Sequence, residues 1–153
     1  MNILVLGGGA FGTAIANELS VNISNNVLLF SRSLMKVDEI NTYHTNKCCF
    51  PNKHLSKLLS ASSDKNEINN ADVIFIALPS SAVIESLLVL QPYFKEEALF
   101  VNLSKGLFAE GVTVIESIQE KLGITNIVTL KGPSFAVEVM EHADTLLTLG
   151  YST

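Results

Sequence analysis

The sequence predicts an α/β fold built on a doubly wound, mostly parallel sheet, and three observations carry that reading. Short apolar runs alternate with helical stretches along the whole chain, which is the grammar of strands joined by crossover helices. The connections between them are short. The first apolar run passes directly into Gly7-Gly8-Gly9-Ala10-Phe11-Gly12, where a helix begins. With 153 residues, 48% hydrophobic and 16% charged, the chain has the size of a single domain, residues 1–153, and can bury a core.

Asn2 to Leu6 is almost wholly apolar and rich in branched side chains, as expected of a strand covered on both faces. The spacing Gly7-x-Gly9-x-x-Gly12 that follows is the dinucleotide fingerprint, found here in the strand-to-helix setting it requires. Gly7 permits a tight exit from the strand, Gly9 lets a pyrophosphate approach the backbone, and Gly12 lets the next helix pack closely. That helix, about Ala10 to Leu19, sets Phe11, Ala14, Ile15 and Leu19 on one face and points its free amides at the phosphates. The bland alternative is a structural turn without a ligand.

Asn25-Asn26 makes a turn into a second strand, Val27 to Phe30. NAD-specific sites usually end this strand with a carboxylate that holds the ribose 2′-hydroxyl. Ser31-Arg32-Ser33 stands there instead, and an arginine pairs with a 2′-phosphate or stacks on adenine. The pattern favours NADP and leaves NAD open; a solvated surface arginine is the alternative. Leu34 to Tyr43 reads as a weakly amphipathic helix. The polar stretch through Lys53, which carries Pro51, reads as a surface loop.

A short third strand is expected at Leu58 to Ala61, and a central one at Ala71 to Leu78, stopping at Pro79 with Ser80 or Ser81 capping the next helix to about Leu90. Ala98 to Leu103 leads to Ser104-Lys105-Gly106. Thr113 and Glu116 form a capping box before Val114, Ile115, Ile118 and Leu122, and Gly123 ends that helix. Asn126 to Leu130 runs into Lys131-Gly132-Pro133-Ser134, a helix from about Phe135 to Glu141 follows, and Thr145 to Leu149 closes the sheet, with room to run antiparallel at an edge.

In a parallel sheet, Pro79, Lys105 and Gly132 to Ser134 share the edge that carries the glycine loop, where such folds bind ligands. Lys105 is a compact cation suited to an anionic or carbonyl substrate, or else a lysine snorkelling off a strand end. Ser134 either caps a helix or aims its hydroxyl at a phosphate. His142 reads as part of a helix end, and no lysine or arginine follows Lys131.

Bulk properties exclude several classes. A net charge of −5 provides no basic surplus for nucleic acid. No apolar run approaches the roughly 18 residues of a membrane span. The N-terminus lacks the basic start of a secretory signal, so a cytoplasmic location is expected. Cys48 and Cys49 are adjacent, a poor spacing for metal even with His44 and His54 nearby. No metal site is expected, and the cysteines read as reduced structural thiols.

Several motifs in order resemble the N-terminal domain of the bacterial-type NAD(P)-dependent glycerol-3-phosphate dehydrogenases: Gly7 to Ala14, Ser31-Arg32, Ala77-Leu78-Pro79-Ser80, Leu103-Ser104-Lys105-Gly106, and Gly132-Pro133-Ser134-Phe135-Ala136-Val137-Glu138. The resemblance implies a Rossmann-like domain and hydride transfer between NAD(P)H and dihydroxyacetone phosphate or sn-glycerol 3-phosphate, feeding glycerophospholipid synthesis. It implies cofactor contacts at Ala10, Phe11, Arg32, Lys105 and Ala136, beside those expected at Gly7, Gly9 and Gly12 from the glycine spacing and at Pro79 from its strand-end position. It implies substrate contacts at Lys105, Gly132 and Ser134, with Lys105 positioning the substrate.

Ala10 stands where the family often has serine, and Cys49-Phe50-Pro51 replaces its usual Tyr-Leu-Pro. The family's second, helical substrate domain and its proton-transfer lysine are expected beyond Thr153, so the 153 residues alone are expected to be inactive. Any homodimer belongs to the full-length enzyme. Competing readings are a ketopantoate or 6-phosphogluconate type of dehydrogenase, against which the Ser-Lys-Gly and Gly-Pro-Ser-Phe-Ala segments argue, and a stand-alone NAD(P)H-binding module.

Overall fold

The computed structural model describes residues 1–106 and 111–151. Its elements alternate as β1 (Asn2–Leu6), α1 (Ala10–Val21), β2 (Asn26–Phe30), α2 (Leu34–Tyr43), β3 (Leu59–Ser62), β4 (Val73–Ile76), α3 (Ser80–Leu90), β5 (Leu99–Asn102), α4 (Val114–Leu122), β6 (Ile127–Lys131), α5 (Ala136–Met140) and β7 (Thr148–Gly150). One sheet runs in the order β3-β2-β1-β4-β5-β6-β7. All neighbours are parallel except β6 and β7, so the last strand does run antiparallel at the edge.

The order reverses beside β1, which pairs with β2 on one side and β4 on the other. That makes the carboxyl end of β1 the topological switch point, where doubly wound sheets open a crevice.

Strand alternation sorts the core into two layers. Ile3 and Val5 of β1 join Val27, Leu29, Ala14, Ile15 and Ile40 on the face covered by α1 and α2. Leu4 and Leu6 join Ile74, Ile76, Val83, Leu87 and Ile118 on the face covered by α3 and α4. Each fully buried branched side chain contributes about 1.5–3 kcal/mol relative to exposure in water.

Helix ends follow their local chemistry. Thr113 accepts from the Glu116 amide at 3.2 Å while Glu116 accepts from the Thr113 amide at 2.7 Å, completing the expected capping box. Gly123 ends α4 in the left-handed region at φ 70°. The expected caps at Ser80 or Ser81 are not used, because Pro79 occupies the cap position and both serines lie inside α3. Strand and helix bounds otherwise shift by up to three residues, most at the start of β7; β4 is two residues shorter than expected at each end, although the Asp72 and Ala77 amides still donate to the Asn2 and Leu6 carbonyls at 2.9 Å.

The segment between α2 and β3 departs from the expected surface loop. Thr45, Asn46, Phe50 and Leu55 are buried, and the Ser56 amide donates to Asn17 Oδ1 of α1 at 2.7 Å. Its polar composition looks solvated. Asn46 Oδ1 and His44 Nδ1 are buried without a partner among the described residues, but several of its polar groups find partners within the fold. The Glu39 carboxylate, for example, accepts from the Lys47 amide at 2.7 Å and the Thr45 hydroxyl at 2.9 Å. The Lys47 amide, followed by the Thr45 hydroxyl, holds the Glu39 carboxyl below its usual range against a partial opposing effect of burial.

Candidate functional site

Register places the predicted residues along one edge. Leu6 pairs with Phe30 and with Ile76, Ile76 with Asn102, and Asn102 with Thr129. Three residues beyond these positions lie Gly9, Ser33, Pro79, Lys105 and Gly132, all past the carboxyl ends of parallel strands.

The glycine loop is shaped by close approach. Gly7 has φ +117°, and a Cβ there would lie 2.4 Å from the Ala77 carbonyl oxygen at the end of β4. A Cβ on Gly12 would fall 2.1 Å from the Gly7 carbonyl oxygen and 3.0 Å from Ala77 Cβ. Neither position admits another residue without backbone movement. Gly9 differs: it is extended, at φ −75° and ψ −177°, and a Cβ there would meet nothing within 4 Å. It caps α1 without a capping side chain, and no acidic residue occupies the first turn. The helix therefore presents amides and a positive dipole end to open space.

Around this loop the other strand ends converge. The Lys105 ammonium lies 5.9 Å from the centre of the Phe11 ring, in the range of a cation–π contact. Its backbone is held by Ser104, whose hydroxyl donates to the Leu78 carbonyl at 2.7 Å and whose amide donates to Asn102 Oδ1 at 3.0 Å. Gly106, at φ +101°, passes close to Ser80. Pro79 is exposed at the start of α3. Arg32 is exposed and, among the described residues, has no ion-pair partner. Ala136 begins α5 and packs with Phe11 against the same apolar cluster.

Gly132 has a steric reason of its own: a Cβ there would lie 2.2 Å from the Leu146 carbonyl oxygen, where the chain returns towards β7. Ser134 does not cap α5, because Phe135 holds the cap position and takes its partner from Glu138 at 2.8 Å. The Ser134 hydroxyl is buried and, among the described residues, finds no hydrogen-bond partner. His142, just past the Glu141 cap of α5, has φ 54° and meets Glu18 of α1 at 2.5 Å. Together with the Lys53–Glu141 pair at 3.1 Å, it ties α5 to α1 and to the buried loop.

Two residues absent from the sequence reading stand beside the glycines. The Lys36 ammonium, from the first turn of α2, donates to the Gly8 carbonyl at 2.5 Å. Asn46 Nδ2, from the buried loop, donates to that same carbonyl at 3.3 Å and to Thr13 Oγ1 at 2.9 Å. Lys36 sits four positions past Arg32, a spacing that marks it as a neighbour of that strand end; nothing local marks Asn46.

Cys48 is an exposed free thiol, and Cys49 is half-buried, with burial pushing its thiol up and Lys36 pulling it down less strongly. Among the described residues no group of three or more histidine, cysteine, aspartate or glutamate side chains gathers at a metal-binding spacing. A cavity of about 110 Å³ beside Asn2, Asn26, Ser60 and Glu67 opens at the amino ends of β1 and β2, the opposite edge. No helix among the described residues is long and apolar enough to cross a membrane.

Sheet order, switch point and glycine turn together define a Rossmann-like α/β domain of the doubly wound class, with helices on both faces of the sheet. The sequence model described as NAD-dependent glycerol-3-phosphate dehydrogenase N-terminus matches residues 2–153, and the chain belongs to that family. It is 38% identical over 141 residues to glycerol-3-phosphate dehydrogenase [NAD(P)+] of Neorickettsia sennetsu, covering 92% of this chain and 42% of that protein. It is 35% identical over 150 residues to the Bacillus subtilis protein of the same name, covering 94% and 43%. The crystal structure of a glycerol-3-phosphate dehydrogenase from Coxiella burnetii superposes with a TM-score of 0.87 at 29% identity, covering 97% of this chain and 46% of that one. The chain thus spans less than half the length of these relatives.

Proposed function

We propose that residues 1–153 form the NAD(P)-binding domain of an oxidoreductase that interconverts dihydroxyacetone phosphate and sn-glycerol 3-phosphate. The observation that carries this reading is the open, uncapped start of α1 over Gly9, flanked by Arg32 on one side and Lys105 on the other. Open backbone amides and two cations suit a ligand with a diphosphate and further anionic groups.

The residues fit a dinucleotide. Space above Gly9 admits the diphosphate, and Gly7 and Gly12 bring the amides of Ala10 and Phe11 into reach. Arg32, free at the end of β2, suits a ribose 2′-phosphate, so NADP is favoured and NAD is accepted. Pro79, Lys105 and Ala136 border the remaining cofactor surface. When bound, the nicotinamide supplies or takes the hydride.

Lys105 holds positive charge beside the substrate and orients its carbonyl or phosphate oxygens. The Gly132 backbone and the Ser134 hydroxyl complete the substrate wall, and the orphaned Ser134 hydroxyl supports that assignment because a buried hydroxyl normally has a partner. The proton that accompanies hydride transfer comes from the part of the longer relatives that this chain does not span. Cys48 and Cys49, as free thiols, suit a reducing cytoplasmic setting.

Calorimetric titration of the 153-residue chain tests the reading. Saturable binding of NADPH and of NADH is expected, weakened in Lys105→Ala; no saturable heat with either dinucleotide would overturn it.

A further inference from the structure

The Gly8 carbonyl is the most heavily used acceptor near the site. The Lys36 ammonium approaches it at 2.5 Å, the Asn46 side-chain amide at 3.3 Å and the Cys49 sulfur at 3.9 Å. These groups come from α2 and from the buried loop before β3, and none of them stands in the glycine motif itself.

We infer that Lys36 and Asn46 are positioning residues that clamp the Gly8 carbonyl and thereby aim the Gly9 amide at the ligand's diphosphate. This rests on the dinucleotide-binding reading proposed above. No peptide bond among the described residues is cis, and in a trans peptide the carbonyl and the following N–H point in opposite directions. Holding the Gly8 oxygen towards α2 and the loop turns the Gly9 N–H away from them, towards the side where a Cβ on Gly9 meets nothing within 4 Å. Donors on a carbonyl also polarise its peptide, which makes the N–H a stronger donor to an anion.

The clamp is itself held firmly. Asn46 is fully buried, its side chain also donates to Thr13 on α1, and its own carbonyl accepts from Cys49 and Phe50 amides at 3.0 and 2.8 Å. The donor end of the Asn46 amide faces Gly8 because an oxygen there would oppose the carbonyl. Lys36 reaches its place with its Cδ packed over Gly8, 2.8 Å from where a Cβ on that residue would be. A methyl at position 8 would therefore meet the flexible Lys36 side chain, which can give way, rather than backbone.

The diphosphate is common to both dinucleotides, so the clamp predicts a loss that does not discriminate between them. In Asn46→Ala, affinity for NADPH and for NADH should fall by the same factor, about 10-fold, the worth of one hydrogen bond to a charged group. Asn46→Asp should fall further, and Lys36→Met should lose both ligands while Lys36→Arg retains them. Lys36 is part-buried, so Lys36→Met tests the idea even if the buried Asn46 variants fail to fold.

In the ligand-free chain, the ¹⁵N–¹H heteronuclear NOE of Gly9 should drop in Asn46→Ala and Lys36→Met, with β4 and α3 unchanged. Unchanged affinity for both ligands together with an unchanged Gly9 NOE in a folded variant would overturn the clamp, as would a loss confined to NADPH. If the wild-type chain binds neither dinucleotide, the proposed function fails, and the NOE alone decides whether the clamp exists.

Discussion

Replacing Gly9 and Gly12 by alanine, one at a time, should separate the glycine that serves the ligand from the one that serves the fold. At Gly12 the new methyl would sit 2.1 Å from the Gly7 carbonyl oxygen and 3.0 Å from Ala77 Cβ, and the first neighbour is backbone. Relief requires α1 to move off the end of β1, a form of overpacking that costs roughly 1–3 kcal/mol. In a chain of this size each kcal/mol lowers Tm by about 2–4 °C.

At Gly9 the backbone angles of −75° and −177° are open to alanine, and the methyl meets nothing within 4 Å. Stability should hold or rise by about 0.4–1 kcal/mol, because alanine restricts the unfolded chain. The methyl nonetheless fills the space through which a diphosphate reaches the amides, so NADPH affinity should fall at least about 10-fold, equivalent to ~1.4 kcal/mol. Urea unfolding and calorimetric titration of both variants give the two numbers. Gly9→Ala with wild-type NADPH affinity, or Gly12→Ala with wild-type stability, would refute the division of labour.

Arg32→Asp should weaken NADPH binding by about 10- to 100-fold and NADH binding much less, since it removes a charge-assisted contact to the 2′-phosphate; equal losses in titration would mean that Arg32 stacks on adenine instead. The 153-residue chain, given NADPH and saturating dihydroxyacetone phosphate, should show no turnover above a Lys105→Ala control, because on the proposed reading the general acid, worth about 10²–10⁴-fold, lies outside these residues; robust NADPH oxidation that disappears in the mutant would place the proton donor within them. The folded Glu39 carboxyl is held below its ordinary value, so its contribution to stability is complete above that value and is lost as pH falls through the lower folded one. Urea unfolding should therefore show wild type more stable than Glu39→Gln at neutral pH, with the gap closing below about pH 4; a gap constant down to pH 3 would show that the Lys47 and Thr45 contacts carry no linkage.

The strands and the glycine turn were readable because each rests on local pattern: branched apolar runs, spaced glycines, and a threonine three residues before a glutamate. The positions of Gly9, Pro79, Lys105 and Gly132 on one edge followed from parallel pairing alone. What pattern did not show was set by contacts distant in sequence. Asn46 reads as a solvent-facing loop residue, yet it is buried because Gly8 and Thr13, over thirty positions away, accept its side-chain amide. Lys36 reads as a helix-surface cation until its reach across to Gly8 is known. Ser80 and Ser134 both look like helix caps, and in both cases a neighbouring residue, Pro79 or Phe135, takes the cap position, leaving the Ser134 hydroxyl without a partner among the described residues.

The central place of β1 has a consequence for how the chain emerges from the ribosome. β1 is synthesised before the other strands of the sheet, but its second neighbour, β4, begins 70 positions later, with Ile3 opposite Val73. At about 5–20 residues per second, that interval lasts roughly 3.5–14 s. Throughout it, one edge of an almost wholly apolar strand waits without its partner, while β2 can cover the other. Slow codons or a bound chaperone between Phe30 and Ile76 would therefore bear on yield more than any change after Asn102, when the sheet's centre is already closed on both sides.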